Sequence, residues 1–226
     1  MAGTIFEKSS TSLRLWFYAM YLMGSTRCGI SAKQIQRETS VTYKTAWRIG
    51  QQIRILIDAD GEGILRGHVE LDEAYVGGHR PGKRGRGADG KTIVMGLKER
   101  DGRMQAEVIP NVKKATLRGV VSRNVEPGSI VSTDELMSYG LLEGDGFKHG
   151  TVKHGAGEFA YYDYRHDATH STNNVESFWR LFKNSITSTH IHVSSKYMQR
   201  YLNEFTFRSN HRQMGNAMFD LLIGAL

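Results

Sequence analysis

Three acidic positions lie far apart along this chain, each in a setting where a carboxylate is unusual. Asp72 sits with Glu73 inside the apolar, strand-like run HVELDEAYV (68–76), and Asp134 ends the apolar run SIVSTDE (129–135). Glu176 lies on the polar side of HSTNNVESFWRLFK (170–183), with Lys183 seven residues further on. A carboxylate within an apolar element costs free energy unless it is paired or binds a metal. Taken singly, each has an ordinary explanation: strand-terminal acids cap helices, and a solvated helix face accepts an incidental Glu and Lys. Brought together, they form an oxygen-rich site of the kind that favours magnesium or manganese. Two such ions about 3.5–4 Å apart stabilise both the attacking and the leaving oxygens of an in-line phosphoryl displacement.

The elements around these residues decide whether they can meet. At about 100° per residue, Asn173, Glu176, Arg180 and Lys183 share one arc of a helix, while Val175, Phe178, Trp179, Phe182 and Ile186 fill the opposite side. The aromatic side is expected to bind this helix to a sheet, with the polar side over the ends of strands. Lys183 would there hold a phosphate beside the metals. Strands are expected at 68–76, 92–100 and 104–110, the last two joined by the hairpin signal Asp101-Gly102. A helix over 115–125, a strand over 129–135, a short helical piece and a weak strand near 150–154 follow. Further helices are expected over 195–208 and from 216 onward. This is a mixed α/β pattern whose strand order periodicity alone does not fix.

Ahead of the turn-rich joint DADGEG (58–63) the chain reads as helical, so the expected division is a helical segment over 1–60 and an α/β domain over 64–226. Leu13, Trp16, Phe17, Met20 and Tyr21 keep helical spacing, with Thr11 or Ser12 as cap and Gly24 as the expected end. Ser31 and Gln34 form a capping-box pattern before a short helix over about 32–38. After a break at Thr39 and Ser40, a second helix starts near Thr42. Short helix, turn and longer helix make a helix-turn-helix-like shape. Tyr43, Lys44, Arg48 and Gln51 are its expected exposed DNA-contacting residues, although many helical hairpins share the pattern and bind nothing.

The charge balance, 30 Lys and Arg against 23 Asp and Glu, points to a polyanionic partner. The loop HRPGKRGRGADGK (79–91) concentrates it: Arg80, Lys83, Arg84, Arg86 and Lys91 stand against Asp89 alone. Its glycines let the backbone approach phosphates, which makes it an expected DNA-binding segment rather than only a solubilising loop. One cysteine, Cys28, excludes an intrachain disulfide and a cysteine-built zinc site. No apolar run approaches the ~20 residues of a membrane span, and the opening residues lack a signal-peptide pattern. No GxxxxGK[ST] phosphate loop and no HExxH metal motif occurs. His149, His154, His166 and His170 near the candidate helix are read as hydrogen-bonded structure, with His154 or His170 also able to position DNA or a water.

The segments ELDEAYVGG, STDE, HSTNNVESFWRLFK and KYMQRYLNEFTFRSN, in this order, resemble bacterial insertion-sequence transposases of the DDE class, and among them the ISXO-like group. The resemblance runs over roughly residues 1 to 220 and implies an RNase H-like mixed sheet flanked by helices, following the N-terminal helix-turn-helix-like segment. It implies metal-dependent cutting at transposon ends and strand transfer into target DNA, with two Mg2+ or Mn2+ ions and no zinc. Asp72 and Asp134 would be metal-binding aspartates and Lys183 the basic residue after the third position. That third position is Glu176 or Asn173, Glu176 being favoured because an anionic oxygen holds a hard cation better than an amide. Partners would be double-stranded DNA and further copies of the chain, as a homodimer or larger assembly. The location would be the bacterial cytoplasm, at the nucleoid when bound to DNA. Members of this group usually carry a cysteine zinc ribbon ahead of this region; the present sequence opens with a segment like the one just after it. The alternatives are a catalytically inactive, domesticated or truncated transposase that only binds DNA, and a structure-selective nuclease on the same fold.

Overall fold

The computed structural model of the chain describes residues 3–57, 63–77 and 90–226, with Asn216 described by its backbone only. The chain divides into two compact units, one formed by Met1–Gly61 together with Leu181–Leu226, the other by Glu62–Arg180. The second unit is built on a five-stranded sheet. Strands β1 (His68–Val76), β2 (Thr92–Glu99) and β3 (Met104–Ile109) form an antiparallel meander. Helix α4 (Lys114–Asn124; α1 to α3 lie in the other unit, below) crosses over to β4 (Ile130–Thr133), which pairs parallel with β1 and with β5 (Lys148–Thr151). The order β3-β2-β1-β4-β5 is the RNase H-like arrangement.

Alternation along β1 sorts its residues between two faces. Val69 and Leu71 join Met95, Leu97 and Val131 in an apolar layer closed by Leu117, Val120 and Val121 of α4. Glu70 and Asp72 point to the other face, which carries helix α5 (Asn173–Ser185). Gly96 pairs with Asp72 across β1 and β2. A Cβ at residue 96 would lie 2.7 Å from the Trp179 ring and 3.0 Å from Val175, so the missing side chain is what lets α5 lie on the strand. Val175 and Trp179 thus bind the helix to the sheet as its spacing implies, whereas Phe182 packs edge-on against Phe205.

Two features of this unit differ from expectation. Residues 168–171 form a strand, β7 (Ala168–Ser171), paired antiparallel with β6 (Ala160–Asp163), so α5 starts three residues after His170 rather than at it. Four-residue strands with no apolar alternation carry no periodic signal. The edge strand β5 lies at 148–151 rather than 150–154, because its pairing ends where Thr133 meets Thr151.

The other unit contains α1 (Leu13–Ser25), α2 (Ala32–Thr39), α3 (Tyr43–Leu56), α6 (Met198–Asn210) and α7 (Met218–Gly224). Ser31 and Thr42 cap α2 and α3 by accepting from Gln34 N and Thr45 N, and Ser40 turns the chain between them in a left-handed conformation. Gly24 lies buried inside α1, which runs on to Ser25. Trp16, Met20, Ile35, Ile49, Ile53, Phe207 and Leu222 share one core, which explains why the last 46 residues group with the first 61 instead of with the sheet. Gln51, expected on the exposed face of α3, is 3% exposed and donates to the Tyr201 hydroxyl. At the same seam Arg54 Nε donates to Glu204 Oε2 at 2.7 Å, and Arg208 Nη2 donates to Glu204 Oε1 at 2.8 Å. Burial alone would raise the Glu204 pKa, but Arg54, Arg208 and His190 together hold it at about 2.

Removing one partner of such a buried network leaves a charge without compensation. Arg54→Ala is expected to destabilise the protein by about 3–5 kcal/mol, read from the urea-unfolding midpoint.

Candidate metal centre

The parallel pairing of β1 with β4 matches Glu70 to Ser132. Two residues further along lie Asp72, midway along β1, and Asp134, just past the end of β4. Carboxylate oxygens of Asp72, Glu73 and Asp134 all lie within 4.8 Å of one another. Asp134 Oδ1 accepts from Leu136 N at 3.0 Å, which fixes the loop after β4. Glu73 comes from the opposite face of the strand, and its Oε2 accepts from the Tyr139 hydroxyl at 3.1 Å. Glu73 was not singled out from the sequence; its signal was its place beside Asp72 within the same apolar strand.

Glu176 stands on the first turn of α5, outside this tight cluster. It is half-exposed, and its Oε1 accepts from the Thr172 hydroxyl at 2.6 Å and lies 3.1 Å from His154 Nε2. His154 also reaches Thr172 Oγ1 at 2.9 Å, so two side chains orient the carboxylate. Its charge is close enough to act on Asp72. Burial first, then Glu73, Asp134 and Glu176, push the Asp72 pKa up to about 8. Mutual repulsion of this kind is relieved by a hard cation, and the donor set, all carboxylate oxygen, fits Mg2+ or Mn2+.

The start of α5 is held by a residue that sequence reasoning did not select. Glu70 is fully buried, and its Oε2 accepts from Asn174 N at 2.8 Å and Val175 N at 3.3 Å. Its Oε1 accepts from Asn174 Nδ2 at 2.8 Å, Ser171 Oγ at 3.2 Å and Arg100 Nη2 at 3.3 Å. A carboxylate from the strand thus caps the helix N-terminus, where backbone N–H groups have no partner inside the helix.

Asn173 is exposed as the first residue of α5, and Lys183 is exposed in its last turn. Lys44 is exposed at the start of α3, whereas the Arg48 guanidinium is engaged, donating to the Glu7 carbonyl at 2.9 Å. Lys91 is half-buried just before β2. Arg80, Lys83, Arg84 and Arg86 lie outside the described residues. No helix among the described residues is long and apolar enough to cross a membrane.

A carboxylate cluster at the middle of β1 and just past the end of β4, on a sheet of this order, defines an RNase H-like protein with a candidate divalent-metal site. Residues 64–210 match the ISXO2-like transposase domain, and the chain belongs to that family. It is 32% identical, over 91% of its length and 72% of the relative's, to an uncharacterized protein in transposable element ISH50 of Halobacterium salinarum. An uncharacterized transposase-like protein of Haemophilus influenzae is 28% identical over 47% of this chain and 80% of its own. Among solved structures, the catalytic core domain of BIV integrase aligns with 71% of this chain and 96% of its own at TM-score 0.40 and 14% identity. The Mos1 strand transfer complex aligns over 86% and 72% at TM-score 0.38 and 13% identity. The fold assignment rests on the strand order, not on these distant likenesses.

Three outcomes follow from this geometry. In the metal-free fold Asp72 keeps a proton up to about pH 8, whereas unfolded it releases it near 3.8, so rising pH across that window destabilises the metal-free protein. Cation binding displaces that proton, so Mn2+ affinity should climb by up to about tenfold per pH unit and flatten above about pH 8. Calorimetry in buffers of different ionisation heat reads this slope, and Asp72→Asn should abolish it. Glu70→Gln should cost about 1.5–3 kcal/mol of stability, the range for hydrogen bonds to a charged group, measured by denaturant unfolding.

Proposed function

We propose that this protein is a DNA transposase that cleaves DNA at transposon ends and joins the freed 3′ ends to target DNA, using Mg2+ or Mn2+. The observation that carries this reading is the meeting of Asp72, midway along β1, with Asp134, just past the adjacent β4, in a chain of the ISXO2-like transposase family. Asp72 and Asp134 are the proposed metal-binding aspartates. Glu176, oriented by Thr172 and His154, is the proposed third acidic residue in preference to Asn173, which offers only an amide oxygen. Glu73 adds negative charge beside Asp72 while held by Tyr139. Bound divalent ions would make a water or a 3′-hydroxyl more nucleophilic and offset charge on the phosphate oxygens.

In the first step a water oxygen forms a bond to phosphorus, the P–O3′ bond breaks, and the 3′-oxygen leaves as a hydroxyl after taking up a proton. In the second step that hydroxyl attacks a target phosphodiester and expels its 3′-oxygen. Both are in-line displacements, so one set of carboxylates serves both. The role proposed for Lys183 is to hold a DNA phosphate; for Lys44, Arg48 and the basic segment with Arg80, Lys83, Arg84, Arg86 and Lys91, it is to hold the duplex. Part of the Arg48 guanidinium is already taken by Glu7, so its contribution is smaller than that of Lys44. A dimer or larger assembly on double-stranded DNA, in a bacterial cytoplasm, completes the proposal.

Asp72→Asn and Asp134→Asn should each reduce end cleavage by about 10²–10³-fold or more, the scale on which one transition-state-stabilising group is felt. DNA binding, followed by gel shift, should stay measurable. Cleavage in magnesium that survives either change undiminished would refute the assignment. Binding without cleavage by the unaltered chain would leave a DNA-binding protein only. A pre-cut end that is never joined to target DNA would reassign it as a nuclease.

A further inference from the structure

The hairpin β6–β7 brings a second set of metal-ligating atoms together. Asp163, His166 and His170 each place one ligand atom within 4.8 Å of the others. Asp163 Oδ2 lies 2.9 Å from His166 Nδ1 and 3.8 Å from His170 Nε2. For bonds of about 2.0–2.1 Å, the edges of a tetrahedron are about 3.3 Å, between these two separations. His170 is fully buried, and its Nε2 has no hydrogen-bond partner although it faces the carboxylate. A buried ring nitrogen without a partner is costly, and a lone pair aimed at a carboxylate oxygen is more so.

The surroundings fix the ring in that pose. Its Nδ1 is 2.8 Å from Ser132 Oγ, which is in turn 2.7 Å from His68 Nε2. Ser132 has one proton for two histidines. When Ser132 donates to His68, His170 Nδ1–H donates to Ser132 and Nε2 carries the lone pair, the tautomer a metal ligand needs. The ring lies against Gly150, Ser132's partner on β5, where any Cβ would overlap it. Asp163 Oδ1 accepts from Arg165 N at 2.8 Å and Arg165 Nε at 3.4 Å, with Arg165 Nη2 at 3.5 Å from Oδ2. The Arg165 side chain is mostly exposed, and its Nη1 already lies 3.7 Å from Glu143 Oε1, an outward partner it keeps when a cation takes Oδ2.

We propose that Asp163, His166 and His170 bind a borderline divalent transition ion, zinc(II) by preference. Two imidazole nitrogens and one carboxylate oxygen suit zinc, whereas the all-oxygen cluster at Asp72 and Asp134 suits magnesium or manganese. The sequence expectation of no zinc came from the family resemblance, together with missing cysteine pairs and HExxH spacing. This ligand set uses neither, since Asp163, His166 and His170 meet across a hairpin that periodicity did not show. The site pins β7 three residues ahead of α5, so its role is to hold the entry to the helix carrying Glu176, with solvent completing the coordination on the partly exposed His166 side.

The test uses the full chain, stripped with chelator and titrated with zinc in millimolar magnesium. Unaltered protein should take up one zinc equivalent and gain thermal stability, and cobalt in its place should give visible d–d bands. X-ray absorption of the zinc-loaded protein should show nitrogen and oxygen ligands with imidazole scattering, a readout independent of any variant. His166→Ala and Asp163→Asn, checked for native far-UV circular dichroism, should bind zinc about 100-fold more weakly or worse. Asp72→Asn/Asp134→Asn should keep the zinc. No uptake by the unaltered chain, an imidazole-free absorption spectrum, or zinc lost with Asp72 and Asp134 instead of His166 would overturn the proposal.

Discussion

The buried carboxylate of Glu70 is the joint on which the candidate centre depends. It sits two residues before Asp72 on the same face of β1 and accepts the first free N–H groups of α5. Strand and helix are 100 residues apart in sequence, yet this contact sets the register between them. With the helix start fixed over Glu70, one turn brings Glu176 alongside Asp72. Hydrogen bonds to a charged acceptor are among the stronger polar contacts, and with five donors around it the cost of burying Glu70 is offset.

The other constraints support that joint. Gly96 leaves room for Val175 and Trp179, so the helix lies close enough for the cap to form. Parallel pairing of β1 and β4 carries Asp134 to the side of Asp72, and the turn closed on Leu136 N keeps it there. Crowded carboxylates are then an outcome of rigid backbone, not of flexible side chains finding one another. That is why Asp72 holds its proton so strongly: burial raises its pKa first, and repulsion from Glu73, Asp134 and Glu176 adds to it.

Much of the second unit was legible from local pattern. The meander β1–β2–β3 follows from apolar runs and the Asp-Gly turn, and α4 and β4 follow from their periods. Asp72 and Asp134 stood out because charge interrupts apolar strands. Glu70 stood out less: in VELDEAY nothing distinguishes the acid that caps a helix from the acids that face an ion, since the difference lies in a partner 104 residues away. The grouping of α6 and α7 with α1–α3 was hidden for the same reason. Arg54 and Glu204 look like separate solvent-facing charges until the fold pairs them, and Gln51 looks exposed until Tyr201 covers it. The β6–β7 hairpin escaped because four-residue strands of mixed polarity have no period to read.

One unit of this protein is assembled from two separate stretches, Met1–Gly61 and Leu181–Leu226, with the other inserted between them in sequence. During synthesis, residues up to 180 are available to the sheet before residues 181–226 exist to complete the core around Trp16, Met20 and Ile49. A nascent chain halted before Phe207 and Leu222 would present an unfinished apolar surface, the kind of segment that chaperones hold and proteases remove.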